Sequence, residues 1–186
     1  MHFDKSVKIR AEIDSDREAV YRLTVDAFEH SDFGHNGEAE LINAVRSGHR
    51  DTFSLVAVFN DKPIGYLLCS PCSIETQNES IVGMAIGPVA VASKWQKRGV
   101  GTLLMEGCVQ HAIDSHWNYL VVAGHPDFYA RFKFELLSKL GLKHCFAGMP
   151  DNIFFIRFFK AVQASKFADG QLRYCAEFGP QNRFEL

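Results

Sequence analysis

No apolar run in this 186-residue sequence approaches the roughly 20 residues that a helix needs to cross a bilayer. The N-terminal residues Met1 to Lys8 also lack the apolar centre of a secretory signal, so neither a membrane protein nor a secreted one is expected. An excess of charge of one sign is missing too, because 20 basic and 22 acidic residues leave a net charge of −2. This balance does not favour broad binding to nucleic acids.

Cysteine is scarce, and the five cysteines are an odd number scattered through apolar stretches. This usage predicts reduced thiols and a cytoplasmic protein. Cys69 and Cys72 have the spacing of a metal or redox pair, but no second ligand pair with suitable spacing follows. Pro71 lies between them and an extended segment precedes them, which argues against a thioredoxin-like helix start. We interpret this pair as structural, and no metal site is predicted.

The length and the 47% hydrophobic content are typical of one soluble domain, residues 1–186, with a core from about 7 to 160 and a tail from 161 to 186. Apolar periodicity predicts an α/β order of elements. Strands are predicted at Val7–Glu12, Phe53–Phe59, Pro63–Cys69, Ile81–Val91, Tyr119–Ala123, Leu136–Leu140 and Asn152–Phe159. Helices are predicted from Asp14 or Ser15 to about Phe28, at Glu38–Arg46, from about Arg98 to Ser115, and briefly around Asp127–Phe132. Asn60-Asp61-Lys62 is typical of a hairpin turn, and the tail from about Ser165 is predicted to be irregular.

The most informative segment is the basic, glycine-containing turn between the strand ending at Val91 and the following helix. Gly99 and Gly101 allow a ligand to come close to the main-chain N–H groups at the helix start. Those groups lie at the positive end of the helix dipole, with Lys97 and Arg98 beside them, and such a site favours phosphate or diphosphate. A purely structural turn is the alternative. The Walker pattern is excluded because Thr102, not Lys, follows the second glycine, and the Rossmann pattern because a third glycine is missing.

The pattern Gln-x-x-Gly-x-Gly, which Gln96 to Gly101 match position for position, resembles that of the GCN5-related N-acetyltransferase (GNAT) superfamily. In that superfamily the turn cradles the diphosphate of acetyl-coenzyme A, which is the co-substrate. The resemblance implies the acyl-CoA N-acyltransferase fold, with a central mixed, mostly antiparallel sheet flanked by helices. It also implies that the cofactor binds Val89, Ala90, Val91, Gln96, Lys97, Arg98, Gly99, Val100, Gly101, Thr102 and Tyr129.

A second motif, from Gly124 to Phe134, is similar to the Gly-Asp-Pro-x-Tyr-Tyr-x-Arg-Phe-Gly-Phe signature of the bacterial YhbS-like predicted acetyltransferases. Gln171–Tyr174 with Phe178 is also similar to that group. The sequence departs from the signature at His125, where the group has Asp, and at Lys133, where it has Gly. Glycine at the second position could serve a left-handed turn.

The resemblance also implies catalytic roles. The main-chain N–H of Val89 would polarise the thioester carbonyl, and Tyr129 would protonate the leaving thiolate, since a phenol stays protonated at neutral pH. The general base is less determined: Glu38, Glu40, Asp127 and His125 are candidates, and Glu40 ranks first because it precedes an apolar pair. Water chains are an alternative.

The expected activity is transfer of acetyl from acetyl-coenzyme A to a primary amine, by direct attack within a ternary complex. The alternatives are a catalytically weak acyl-coenzyme A sensor or regulatory module, and transfer of a longer acyl group. Asp32 and His35, with Glu38 and Glu40, are the polar candidates for the acceptor site. Small amines, peptides and proteins all remain open as acceptors, and a homodimer is compatible because dimers are common in the superfamily.

Overall fold

The computed structural model describes residues 6–29, 37–159 and 164–179. Among the described residues, four strands and four helical segments precede the long helix Val100–Asp114, and four strands alternate with short helical segments after it. The helices of regular α type are α1 (Arg17–Phe28), α2 (Glu38–Gly48), α3 (Val100–Asp114) and α4 (Pro126–Tyr129). The strands are β1 (Lys8–Ala11), β2 (Phe53–Phe59), β3 (Lys62–Glu75), β4 (Ser80–Val91), β5 (Tyr119–Ala123), β6 (Glu135–Leu136), β7 (Phe154–Phe158) and β8 (Gln171–Tyr174).

The strands form an open mixed sheet with the hydrogen-bonded order β1-β2-β3-β4-β5-β7-β6, and β8 pairs with β3. The β4–β5 pair is parallel, whereas the pairs β1–β2, β2–β3, β3–β8, β5–β7 and β6–β7 are antiparallel. This mostly antiparallel sheet with flanking helices confirms the predicted fold class. Among the described residues no helix combines the length and the apolar character that crossing a membrane requires.

The described residues divide into two compact units, of which the first contains Met1–Cys69 and Gly87–Cys108. Its β2–β3 hairpin turns through Asn60 and Asp61, with φ of 48° and 59°. Positive φ at both central residues is typical of the two-residue hairpin turn whose backbone twist matches that of the flanking strands. The predicted hairpin is therefore confirmed. Helices α1 and α2 of this unit bury one apolar face each, with Val20 and Val45 fully buried.

The second unit contains Ser70–Ile86 and Val109–Leu186. In it β5 lies between β4 and β7, and all but the last residue of β5 are buried, as expected for an apolar run in the middle of a sheet. The core of this unit includes Tyr119, Phe154 and Leu172, which are 0% exposed.

Two predictions about the C-terminal part were wrong. Leu136–Leu140 is not a strand: only Glu135–Leu136 pairs with β7, and Leu137–Leu140 forms a 3-10 helix. One helical turn brings Leu137 and Leu140, three positions apart, against the same core, which a strand could not do. The tail is not irregular throughout, because β8 pairs with β3 and alternates buried Leu172 and Tyr174 with more exposed residues.

The strand predicted at Pro63–Cys69 is longer than expected, since β3 continues to Glu75 and includes both Cys69 and Cys72. Both thiols are unbridged and 0% exposed. The Sγ atom of Cys69 lies 3.4 Å from that of Cys108, and the Cys72 thiol donates to the Tyr119 hydroxyl at 3.6 Å. Burial within a strand supports the structural interpretation of this pair.

Candidate active site

The glycine-containing turn joins β4 to α3 as the sequence predicted. After Val91 a 3-10 turn at Ser93–Trp95 leads into Gln96 to Gly99, and α3 begins at Val100. The first hydrogen bond of α3 runs from the Leu103 N–H to the Gly99 carbonyl at 3.0 Å. The N–H groups of Val100, Gly101 and Thr102 precede that bond and therefore have no acceptor inside the helix.

The backbone of the turn is left-handed at two places. Lys97 has φ of 59° and Gly99 has φ of 86°. Alternation of left- and right-handed residues turns successive N–H groups towards one side and makes a concavity for an anion. The side chains of Gln96, Lys97 and Arg98 are exposed, so two cations stand beside these donors. The arrangement can hold a diphosphate through main-chain N–H groups and a local positive charge.

Several contacts within the first unit hold this turn in place. The Gln96 side chain donates to the Val91 carbonyl at 3.2 Å, which closes the turn on the end of β4. Asp26, near the end of α1, accepts hydrogen bonds from the N–H and the hydroxyl of Ser93 at 3.0 and 2.9 Å. The Arg98 guanidinium lies 5.6 Å from the ring centroid of Trp95. The glycine-containing turn is thus fixed by polar contacts on both sides rather than by its glycines alone.

The start of α3 lies unusually close to β3, because Gly65 has no side chain. A Cβ at Gly65 would lie 2.8 Å from Cγ1 of Val100 and 3.1 Å from Cδ1 of Leu104, which is shorter than van der Waals contact allows. Val100 is 2% exposed and Leu104 is fully buried. Sequence reasoning missed Gly65, although an isolated glycine within a strand pattern is a signal of such close approach.

The end of β4 carries the three residues predicted to contact the cofactor arm. The parallel ladder of β4 with β5 covers Met84 to Ile86, and β4 continues beyond it to Val91. Ala90 is 1% exposed, whereas Val89 and Val91 are half-buried. Main-chain groups on this extension are the candidates for binding an extended ligand by strand-like hydrogen bonds.

Tyr129 belongs to the second unit, at the end of α4, and is 8% exposed. Its ring contacts those of Phe128, Phe134 and Phe155, at centroid distances of 5.1, 6.2 and 6.1 Å. Within the described residues its hydroxyl makes no hydrogen bond. Burial alone raises the pKa of Tyr129 to about 12. The group is therefore a phenol that stays protonated and has a proton to donate.

Gly124 gives the Tyr129 ring its room. A Cβ at Gly124 would lie 2.8 Å from Cε2 and 3.3 Å from the hydroxyl oxygen of Tyr129. His125 caps α4 through its carbonyl, which accepts from the Phe128 N–H at 3.1 Å, and its side chain is exposed like that of Asp127. The local sequence therefore builds a short helix with one buried tyrosine and an exposed polar start.

Lys133 occupies a left-handed position, with φ of 61° and ψ of 33°. This confirms that the position where the similar signature has glycine is a left-handed turn. The side chain of Lys133 is exposed, and a residue with a Cβ in this left-handed region carries backbone strain that glycine would not.

The predicted acidic residues lie at the start of α2. Glu40 is exposed and accepts a hydrogen bond from the Tyr21 hydroxyl of α1 at 2.6 Å. That hydrogen bond lowers the pKa of Glu40 below its usual value. Glu38 is half-buried and accepts from the Gly37 N–H at 3.1 Å. Asp32 and His35 lie outside the described residues.

Comparison with known proteins agrees with this geometry. Residues 17–134 match the model of the Acetyltransferase (GNAT) family. The chain is 30% identical over 136 residues to the uncharacterized N-acetyltransferase YhbS of Escherichia coli K12, which covers 73% of this chain and 77% of that protein. It is 28% identical over 105 residues to the uncharacterized N-acetyltransferase YjhQ of the same organism, covering 55% of this chain and 58% of YjhQ.

Solved structures show the same likeness. The crystal structure of Escherichia coli YhbS in complex with CoA has a TM-score of 0.81 and 28% identity, and the match covers 100% of this chain and 98% of that one. A GNAT acetyltransferase from Brucella melitensis in complex with acetyl-CoA has a TM-score of 0.74 at 23% identity, covering 93% and 98%. The second likeness shows the fold alone. The family model covers well over half of the sequence, and this protein therefore belongs to the GNAT family of acetyltransferases.

Proposed function

We propose that this protein, acting as one domain, moves the acetyl group of acetyl-coenzyme A to a primary amine by direct attack in a ternary complex. The observation that carries the proposal is the set of main-chain donors of Val100, Gly101 and Thr102 at the start of α3, beside two exposed cations. The CoA bound to the similar protein YhbS of Escherichia coli supports the choice of ligand.

The turn would hold the diphosphate, and the end of β4 would hold the pantetheine arm. Gln96, Lys97, Arg98 and Gly99 shape the turn, while main-chain groups of Val89 to Val91 would bind the arm as a further strand binds. The Val89 N–H would donate to the thioester oxygen and stabilise the negative charge that develops on it during attack. Most of the rate enhancement would come from positioning and from this electrostatic contact.

Two proton transfers complete the reaction. The amine nitrogen forms a bond with the thioester carbon, the carbon–sulfur bond breaks, and the sulfur leaves as a thiolate. Tyr129 would give its phenol proton to that thiolate, and its raised pKa keeps the proton available at neutral pH. Glu40 would take the proton that the amine loses; its lowered pKa keeps it ionised, as a base must be.

A sensor without efficient catalysis is the second candidate, and one observation favours it. Glu40 is exposed and its pKa is lowered by the Tyr21 hydroxyl, so it accepts a proton less readily than a base with a raised pKa. Such a protein would bind acetyl-coenzyme A at the same turn and would release little thiol with any amine.

The first experiment tests binding at the turn by calorimetry with acetyl-coenzyme A. Gly101→Glu places a carboxylate where the diphosphate would lie, and we expect binding to be lost. Gln110→Glu adds the same charge to an exposed position of the same helix and should bind like the parent protein. Equal affinity of both variants would contradict the proposed site.

The second experiment separates the enzyme from the sensor by measuring thiol release across an amine panel. For an enzyme we expect Tyr129→Phe to lower turnover by 10²-fold or more, in the range of general acid catalysis, with coenzyme affinity retained. Glu40→Gln tests the base in the same assay, with Glu18→Gln, an exposed acid on α1, as its control. Coenzyme binding without thiol release from any amine would favour the sensor.

A further inference from the structure

The first unit contains a second basic depression that the acetyl-transfer site does not use. It has a volume of about 280 Å³ and lies where β1 ends, α1 begins, α2 ends and β2 begins. Its lining includes three arginines, Arg17, Arg46 and Arg50, and two carboxylates, Glu12 and Asp14. The volume corresponds to about nine water-sized groups, which is enough for a small metabolite but not for a nucleotide.

The floor of this cavity is a buried ion pair whose charges are already matched. Arg46 and Glu12, with side chains 11% and 10% exposed, form a salt bridge through Nη2 and Oε1. The other Glu12 oxygen accepts from the hydroxyls of Ser54 and Tyr66 at 2.7 and 3.3 Å. The negative charge of Glu12 is therefore fully used by groups of the protein itself.

One donor on the floor is left over. The Nη1 of Arg46 donates to Asn43 at 3.2 Å, but its Nε–H is buried and has no hydrogen-bond partner among the described residues. A buried donor on a charged group without an acceptor is costly, and native structures seldom keep one unless a ligand or water supplies the acceptor. Arg46 is a lining residue of the cavity, so its guanidinium group forms part of the floor.

The rim adds positive charge that is available to a ligand. Arg50 is exposed and makes no ion pair or hydrogen bond with any residue that the structure describes. Arg17 pairs with Asp14 at 2.8 Å, but their side chains are 61% and 92% exposed, and such surface pairs exchange partners at little cost. Two guanidinium groups can thus turn to an anion, and planar guanidinium forks bind carboxylate and phosphate groups in a bidentate way.

The cavity is separate from the glycine-containing turn within the same unit. Ser54, a lining residue of the cavity, pairs with Leu68 of β3. The segment that leads into the turn is instead bonded to β3 at Ile64, because the Ala92 N–H donates to the Ile64 carbonyl at 3.0 Å. Four residues of strand, about 13 Å, lie between these two levels.

We propose that this cavity binds a small oxyanion, the carboxylate or phosphate group of a metabolite, through Arg17 and Arg50 at the rim, above the floor that Arg46 forms. Neither acetyl transfer nor coenzyme binding uses these residues. The site gives the protein a second ligand whose occupancy is independent of the diphosphate turn.

The test is a titration of the full-length ¹⁵N-labelled protein with inorganic phosphate and, separately, with succinate, followed by NMR. We expect saturable shifts of the amides of residues 12–17 and 49–54 and of the Arg46 Nε–H signal. If only succinate or only phosphate causes these shifts, the result identifies the preferred oxyanion. Either result supports the site.

Arg17→Gln and Arg50→Gln should each weaken this binding by at least about 10-fold, because each removes a charge-assisted contact. Arg22→Gln is the matched control, since Arg22 is an exposed arginine of α1 that pairs with Glu18 and lies outside the cavity. Equal affinity of Arg50→Gln and Arg22→Gln would overturn the proposal. Shifts confined to Gln96–Thr102 would overturn it too, and Gly101→Glu, which removes coenzyme binding, should leave the anion binding unchanged.

Discussion

Replacing Lys133 by glycine should stabilise the protein. A residue with a Cβ in the left-handed region costs roughly 1–2 kcal/mol, and Lys133 has φ of 61° and ψ of 33°. Glycine removes that strain, but it loses more backbone entropy on folding, and this loss destabilises the folded protein by about 0.5–1 kcal/mol. The exposed lysine side chain contributes little that could be lost. The net gain in the free energy of unfolding is therefore about 0.5–1 kcal/mol.

The assay is urea unfolding followed by tryptophan fluorescence and circular dichroism, with the slope of the free energy against urea checked for constancy. Lys133→Ala is the control, because it removes the same side chain and keeps the Cβ that causes the strain. In a thermal melt of the same three proteins, we expect the midpoint of the glycine variant to lie about 1–4 °C above those of the parent and the alanine variant. If Lys133→Ala is as stable as Lys133→Gly, strain at this turn is not what the lysine costs.

Three further predictions concern the turn at α3 and the buried tyrosine. Gly65→Ala should lower the free energy of unfolding by about 1–3 kcal/mol, because the new Cβ would press on Val100. Calorimetry should also show weaker coenzyme binding, and an unchanged melting temperature and affinity would contradict this prediction. Asp26→Asn should weaken the bonds to Ser93 and reduce coenzyme affinity severalfold, with Ser93→Ala giving a similar loss. Burial raises the pKa of Tyr129 from its ordinary 10 to about 12, so folding favours the protonated form. This contribution to the free energy of unfolding is complete below pH 10 and is lost as the pH rises through 12. By pH 12 the free energy of unfolding of Tyr129→Phe, measured in urea, should therefore have fallen by about 2–3 kcal/mol less than that of the parent protein. Parallel curves of free energy against pH for the two proteins would refute this.

The sequence predicted those parts of the molecule that depend on neighbouring residues. The turn between β4 and α3 and the Asn60-Asp61 hairpin are set by local backbone preferences, and both were correct. The left-handed turn at Lys133 was also anticipated, from the glycine that the similar signature has there. The roles of the predicted site residues stay predictions.

The contacts that join distant segments could not be predicted in the same way. Gly65 is far from Val100 in sequence, and an isolated glycine in a strand signals a close approach without indicating which segment comes close. The strand β8 pairs with β3 across almost a hundred residues, and its four-residue alternation is too short to distinguish it from a loop. The Tyr21–Glu40 hydrogen bond depends on how α1 and α2 pack, and it alters the pKa of the proposed base.

The helix α3 links the glycine-containing turn directly to the protein interior. Its first residue, Val100, is 2% exposed, and Leu104, one turn later, is completely buried. A ligand captured by the first N–H groups would therefore also restrain a helix that anchors the core, and opening of that region would first require the ligand to leave. The resistance of the purified protein to a protease should then rise with the concentration of acetyl-coenzyme A.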